Sequence, residues 1–150
     1  MKGTKTYINS EEVGYQEQMT KIYPTEDQIQ IALIDWMKIN KIPVIAIQNE
    51  GKRSYSYSRL LKKKGQRKGA SDLFIPVPNI IGHGLFVELK AINPLTGNYR
   101  KPTSEQLVFI EDMIKLGYSA HVANGFDEAL EIIRNYLSHC DKIKLKSFQF

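Results

Sequence analysis

Apolar residues recur at helical spacing in three segments of the chain, and short apolar runs lie between them. The predicted helices run from Thr25 to Asn40, from Thr103 to Gly117 and from Asp127 to Ser138. The first two begin with capping boxes, in which Thr25 pairs with Gln28 and Thr103 with Gln106. Glycine is a frequent helix terminator, so Gly117 marks the end of the second helix.

Runs rich in β-branched and aromatic residues predict strands between these helices. The strand segments are Val44–Gln48, Ser71–Val77, Leu85–Ala91 and Tyr118–Ala123, and Tyr57–Lys64 is compatible with a short helix. A strand, helix and strand over residues 85–123 imply a parallel pair with a right-handed crossover. The strand before this unit forms an antiparallel hairpin with it. We therefore predict an α/β fold with a mixed central β-sheet flanked by α-helices.

The length of 150 residues supports one domain with a substantial core. We expect an N-terminal arm or short extra element over residues 1–23, the main domain over 24–140 and a C-terminal edge strand or tail over 141–150. A single cysteine excludes an intrachain disulfide and a zinc site with several thiolates. The first residues lack the apolar stretch of a signal peptide, which predicts a cytoplasmic protein.

Asp72, Glu88 and Lys90 are the most informative residues of the chain. A hairpin centred near Ile80 places Asp72 opposite Glu88, because both are equidistant from its centre, and alternation puts Lys90 on the same face. Directly opposed Cβ atoms lie roughly 5 Å apart. Two carboxylates this close repel each other unless a hard divalent cation lies between them. The pattern suits metal-assisted hydrolysis of a phosphodiester.

The Glu-x-Lys triplet, and a further acidic residue, Glu26 in the first predicted helix, also have simpler interpretations. A Glu-x-Lys triplet is frequent on solvated surfaces, but apolar neighbours here indicate a strand buried on both faces, which seldom carries two charges without a functional reason. Glu26 lies three and seven residues before Ile29 and Leu33, so it projects toward the core side of the first helix. Its carboxylate could equally serve only to favour the positive end of that helix.

Positive charge is concentrated in residues 51–70. This stretch has eight basic and no acidic residues, whereas the rest of the chain has 13 basic and 16 acidic residues. Its basic residues are Lys52, Arg53, Arg59, Lys62, Lys63, Lys64, Arg67 and Lys68. Such localised charge is typical of a nucleic-acid footprint. Tyr55 and Tyr57 could stack on bases or sugars, although packing against the following helix is the stronger interpretation.

The motifs of this chain resemble those of the PD-(D/E)XK nuclease superfamily, and most closely its VRR-NUC family, the virus-type replication-repair nucleases. The matching residues are Glu26, the Gly69-Ala70-Ser71-Asp72 segment, the Val87-Glu88-Leu89-Lys90 segment and Gln106. The resemblance runs from about Thr25 to about Tyr136 and so covers most of the chain.

This resemblance implies a metal site. Asp72 and Glu88 would ligate Mg²⁺ or Mn²⁺, with the carbonyl of Leu89 as a backbone ligand, and Glu26 resembles the helix carboxylate that the family places near the metal. Magnesium prefers oxygen ligands and keeps several waters, so two or three carboxylates plus a substrate phosphate suffice. Ser71 departs from the family, which often has proline before the aspartate.

The resemblance also implies roles for residues around the metal. Lys90 would orient the attacking water or stabilise developing charge, and Gln106 resembles the glutamine that supports the site. Asn49, Gly51 and Arg53 are similar to the residues that follow the family's first core strand, so Asn49 joins the basic stretch as a candidate nucleic-acid contact.

We therefore expect a metal-dependent, structure-selective DNA endonuclease, encoded by a bacterium or phage, that acts on branched DNA such as Holliday junctions. Short stand-alone members of the family work as homodimers, and we expect the same here. Two alternatives stay open: a non-catalytic nucleic-acid-binding module on a nuclease scaffold, and a protein-interaction domain whose basic loop binds an acidic partner.

Overall fold

The computed structural model describes residues 22–48 and 55–140, and for residues 55–57 it describes the backbone alone. The expected C-terminal edge strand or tail, and nearly all of the expected N-terminal arm, lie outside these ranges. The same holds for Asn49, Gly51, Lys52 and Arg53, and for the side chains of Tyr55 and Tyr57.

Four helices and four strands form the described part of the chain. In chain order they are α1 Glu26–Ile39, β1 Ile45–Ala46, α2 Tyr55–Lys63, β2 Leu73–Ile75, β3 Leu85–Lys90, α3 Ser104–Lys115, β4 Ser119–Asn124 and α4 Gly125–Ser138. The strands lie in the order β1-β2-β3-β4. The first two pairs are antiparallel and the pair of β3 with β4 is parallel. The predicted mixed sheet flanked by helices is therefore confirmed.

The register of the β2–β3 hairpin agrees with the predicted one. Leu73 pairs with Val87, and Ile75 pairs with Leu85. Each pair is centred on Ile80, so one step beyond Leu73 the register brings Asp72 opposite Glu88. The hairpin symmetry read from the sequence thus fixes which side chains meet at its base.

Two strands are shorter than the sequence suggested. The predicted run Ser71–Val77 contains a strand only over Leu73–Ile75, because Pro76 and Pro78 have no N–H to donate to a ladder. The run Val44–Gln48 contributes only the short edge strand β1. The backbone nevertheless continues to pair beyond it, since the Ile47 N–H donates to the Asp72 carbonyl at 2.8 Å.

Side-chain alternation gives the sheet two different faces. One face carries Leu73, Val87 and Leu89, which pack with Leu33 of α1 and Ile133 of α4 in the core. The aromatic rings on the α3 side are those of Phe74, Phe86, Phe109 and Tyr118. Residue 72 is two positions from Phe74, and residues 88 and 90 are two and four positions from Phe86. Alternation therefore places their side chains on this aromatic face. The candidate site therefore lies on the α3 side of the sheet.

Helix α4 secures the connection between β2 and β3. The buried Tyr136 hydroxyl donates to the Val77 carbonyl at 2.7 Å, and the Asn79 side-chain amide donates to the Tyr136 carbonyl at 2.8 Å. Burial raises the pKa of Tyr136 to about 12, so the hydroxyl keeps its proton at neutral pH. These contacts hold the hairpin in its register. Within the described ranges, every helix is too short or too polar to cross a lipid bilayer.

Candidate active site

Glu88 is the centre of the candidate site. Its residue is only 1% exposed, and its Oε1 accepts hydrogen bonds from Lys90 Nζ at 2.7 Å and from Gln106 Nε2. Lys90 is itself only 6% exposed, so the ion pair is buried. Among the described residues, Glu88 Oε2 is buried and has no hydrogen-bond partner. One carboxylate oxygen is thus held in place while the other can accept a further ligand.

The capping box of α3 sets the orientation of the Gln106 amide. Its Oε1 accepts from the Thr103 N–H at 2.8 Å, and the Gln106 N–H donates to Thr103 Oγ1 at 3.3 Å. Because an amide has one oxygen and one NH₂ group, the NH₂ group must face Glu88. The sequence identified Gln106 both as a capping residue and as a support of the site. The structure shows that the capping box directs the Gln106 NH₂ group at Glu88.

Asp72 and Glu26 both accept hydrogen bonds from the backbone at the end of β3. Asp72 Oδ2 accepts from the Leu89 N–H at 2.7 Å, and Glu26 Oε1 accepts from the Ala91 N–H at 3.3 Å. The N–H groups of residues 89 and 91 point to the same side, because they are two positions apart on an extended chain. Both carboxylates are therefore anchored along one edge of β3. Glu26 reaches it from the N-terminus of α1.

The negative charges of Asp72 and Glu26 make ionisation of the Glu88 carboxyl group unfavourable. Burial raises the pKa of Glu88 to about 7, and the carboxylates of Asp72 and Glu26 add to this rise. The hydrogen bond and positive charge of Lys90 oppose it without cancelling it. The site therefore holds more negative charge than Lys90 neutralises, as a cation-binding site does.

The residues fit a partly hydrated divalent cation. In the described part of the chain, no three aspartate, glutamate, histidine or cysteine side chains are arranged to hold a metal ion among themselves. Magnesium, however, is commonly bound through one or two carboxylates with several waters and substrate phosphate. The unpartnered Glu88 Oε2 beside Asp72 provides this kind of donor set.

Two of the predicted phosphate contacts are engaged with α3. Arg67 pairs with Asp112 and lies 5.1 Å from the centre of the Phe109 ring, while Lys68 pairs with Glu105. Gly69 follows at φ +78°, where an added Cβ would lie 2.5 Å from the Glu105 carbonyl carbon. Only glycine allows this close approach. The end of the basic stretch is thus packed onto α3, which the sequence reasoning missed.

The other described cations of the basic stretch are exposed on and after α2. Arg59, Lys62 and Lys63 are three and four residues apart, so they share one face of the helix, and Lys64 follows directly. None of the ion pairs among the described residues involves them. They stay the predicted nucleic-acid contacts.

A groove of about 640 Å³ lies beside the carboxylates. It runs along α1 and is bordered by Glu26, Asp72, Ile47 and Gln48. Gln48 also connects this groove to the basic stretch, because its carbonyl accepts from Gln66 Nε2 at 3.3 Å. The groove thus lies between the acidic site and the segment that carries the exposed cations.

Comparison with known proteins shows similarity to a solved structure. No family model matches the chain, and no curated protein matches it either. A solved structure described as a VRR_NUC domain protein is similar to this chain, with a TM-score of 0.66 and 28% sequence identity. The similarity covers 79% of this chain and 92% of that one.

Proposed function

We propose that this chain, which is similar in fold and at 28% sequence identity to a VRR_NUC domain protein, is a metal-dependent DNA endonuclease that selects branched DNA such as four-way junctions. The observation that carries this proposal is the buried Glu88–Lys90 ion pair beside Asp72, with one oxygen of Glu88 left without a partner among the described residues. A carboxyl group whose pKa is raised by burial and by a neighbouring carboxylate is a candidate for a functional site.

Asp72 and Glu88 would hold Mg²⁺ or Mn²⁺ together with the Leu89 carbonyl, with Glu26 at the edge of the same site. The N–H and C=O of one residue point to the same side of a strand. Because the Leu89 N–H donates to Asp72, the Leu89 carbonyl also faces that side. When bound, such an ion lowers the pKa of its water and neutralises charge on the scissile phosphate.

Lys90 supplies a positioned ammonium group to the reaction. Its contact with Glu88 and its burial restrict the side chain to one place. From there it orients the attacking water or stabilises negative charge that develops on the phosphate. Gln106 acts through Glu88, because its oriented amide fixes the carboxylate. Gln106 is therefore a positioning residue.

The proposal is tested by incubating labelled duplex, flap and four-way junction DNA with Mg²⁺ or Mn²⁺. Wild-type protein should cut the branched substrates in preference to duplex, and neither EDTA-treated protein nor Asp72→Ala should cut them. Binding without cutting would instead support the non-catalytic DNA-binding module. Failure to bind any of these DNAs would support the protein-interaction domain.

Neutralising the exposed lysines at the end of α2 should weaken DNA binding in a salt-dependent way. Each contacted phosphate contributes about −0.9 to the slope of log affinity against log salt on duplex DNA. Changing Lys62, Lys63 and Lys64 together to glutamine should therefore flatten the slope by up to about 2 to 3. Affinity titrations between low and physiological salt measure this. Lys41→Gln with Lys115→Gln is the control, and an unchanged slope in the triple variant would place the footprint elsewhere.

We also propose that the enzyme is a homodimer. Symmetric cleavage of a four-way junction needs two active sites, and one chain supplies one. Two-fold symmetry is the commonest way to present a second copy. Light scattering at micromolar concentration should give twice the 17.2 kDa chain mass. A monomer mass both with and without junction DNA would contradict the dimer.

A further inference from the structure

After β3 the chain folds back on itself, and this places Arg100 next to the end of that strand. Ile92 pairs with Tyr99 in an antiparallel bridge, and the Arg100 N–H donates to the Ala91 carbonyl at 3.0 Å. Ala91 directly follows Lys90, and its own N–H donates to Glu26. The main chain therefore fixes Arg100 beside the carboxylate edge of the site.

Arg100 also borders a cavity of about 330 Å³. Tyr23 and Pro94 contribute to its walls, and Glu26 and Asp27 form the part nearest the site. The same two acidic residues border the larger groove that contains Asp72. The cavity and the groove thus share Glu26 and Asp27 at the N-terminus of α1.

Among the described residues, Arg100 differs from Arg67 and Lys68 in having no acidic partner. Its side chain is exposed, and none of the ion pairs among the described residues includes it. Glu26 and Asp27 line the same cavity without reaching salt-bridge distance from it. The guanidinium group is thus available to an anion, and its fork of donors matches a phosphate in two hydrogen bonds.

We propose that this cavity holds a nucleotide close to the cleavage position, with its phosphate on Arg100; this inference rests on the proposed nuclease function. The acidic residues near the site repel a phosphate, so the anion lies at the Arg100 end of the cavity. Ala91 is about 10 Å from Glu88 along the strand, at about 3.3 Å per residue. A duplex rises about 3.4 Å per nucleotide, so the phosphate lies within about three nucleotides of the scissile one.

The test is a scan with neutral methylphosphonate linkages, placed singly at each of the three positions on either side of the cleavage position. Binding is measured in EDTA, so that DNA is not cut. For wild-type protein, one linkage in this range should weaken binding about tenfold more than its neighbours, as expected for a charge-assisted contact. For Arg100→Ala, binding should be weaker by about the same factor, and that linkage should have no further effect.

Two variants serve as controls. Lys101→Ala removes an exposed charge next to Arg100 that does not border the cavity, and it should keep the wild-type scan profile. Arg100→Lys should restore part of the sensitivity at the same linkage. All three variants should melt at the wild-type temperature, since these side chains are exposed.

An Arg100→Ala profile that still shows the sensitive linkage would overturn the inference and leave the nuclease assignment intact. A profile with no sensitive linkage in wild-type protein would overturn it equally. Wild-type protein that neither binds nor cuts any DNA would instead remove the proposed function on which the inference rests.

Discussion

Asp72→Asn should lose the proposed cleavage by about a thousandfold or more, because Asp72 is the proposed metal ligand and such a ligand contributes several kcal/mol to transition-state stabilisation. The same change should make the metal-free protein more stable by up to about 1 kcal/mol, since it removes one of the carboxylates that raise the pKa of Glu88. Asparagine keeps an oxygen that can accept the hydrogen bond from the Leu89 N–H. The backbone geometry should therefore survive the change.

Metal-induced stabilisation separates loss of the site from loss of the fold. An ion that binds only the folded state stabilises it by about 1.4 kcal/mol at ten times its dissociation constant. Thermal melts with EDTA and with Mg²⁺ or Mn²⁺ should show this gain in wild-type protein and a much smaller gain in Asp72→Asn. Asp127→Asn, which changes an exposed acid at the start of α4, is the matched control and should respond as wild type. Equal metal-induced shifts in both aspartate variants would remove Asp72 from the site.

The hairpin was predictable because its information is local and symmetric. Alternation and equal distance from Ile80 were enough to place Asp72 opposite Glu88. The capping box of α3 was also visible, since Thr103 and Gln106 are three residues apart. The lengths of the strands were harder to predict from the sequence. Pro76 ended β2 early, although its flanking residues continue an apolar pattern.

Contacts between distant segments could not be read from the pattern. The basic stretch was interpreted as one footprint, but Arg67 and Lys68 find acidic partners on α3 through the fold. Arg100 is the opposite case, because the sequence does not single it out and the fold places it near the site. It lies in a polar loop with no local signal, and only the pairing of Ile92 with Tyr99 brings it beside the site. Charge composition identifies the kind of ligand, whereas the tertiary structure decides which cations are available to it.

Glu88→Gln should remove a pH dependence of stability that wild-type protein shows in the absence of metal. The pKa of Glu88 rises from 4.5 to about 7 on folding, mainly through burial and then through the charge of Asp72. Below pH 4.5 the carboxyl is protonated in both folded and unfolded states, so it costs nothing. As the pH rises, the unfolded state ionises first and is favoured. The cost reaches its full value above about pH 7, where it amounts to about 3 kcal/mol.

Urea unfolding in EDTA at pH 5 and pH 8 measures this contribution. The free energy of unfolding of wild-type protein should fall by about 2 to 3 kcal/mol more between these pH values than that of Glu88→Gln. The variant also leaves the buried Lys90 without its carboxylate partner. That loss lowers stability at both pH values, so the comparison uses only the change between them. Glu111→Gln, at an exposed position of α3, is the charge-matched control and should follow wild type. Parallel behaviour of Glu88→Gln and wild type would mean that Glu88 is not buried against Asp72, and the site would have to be placed elsewhere.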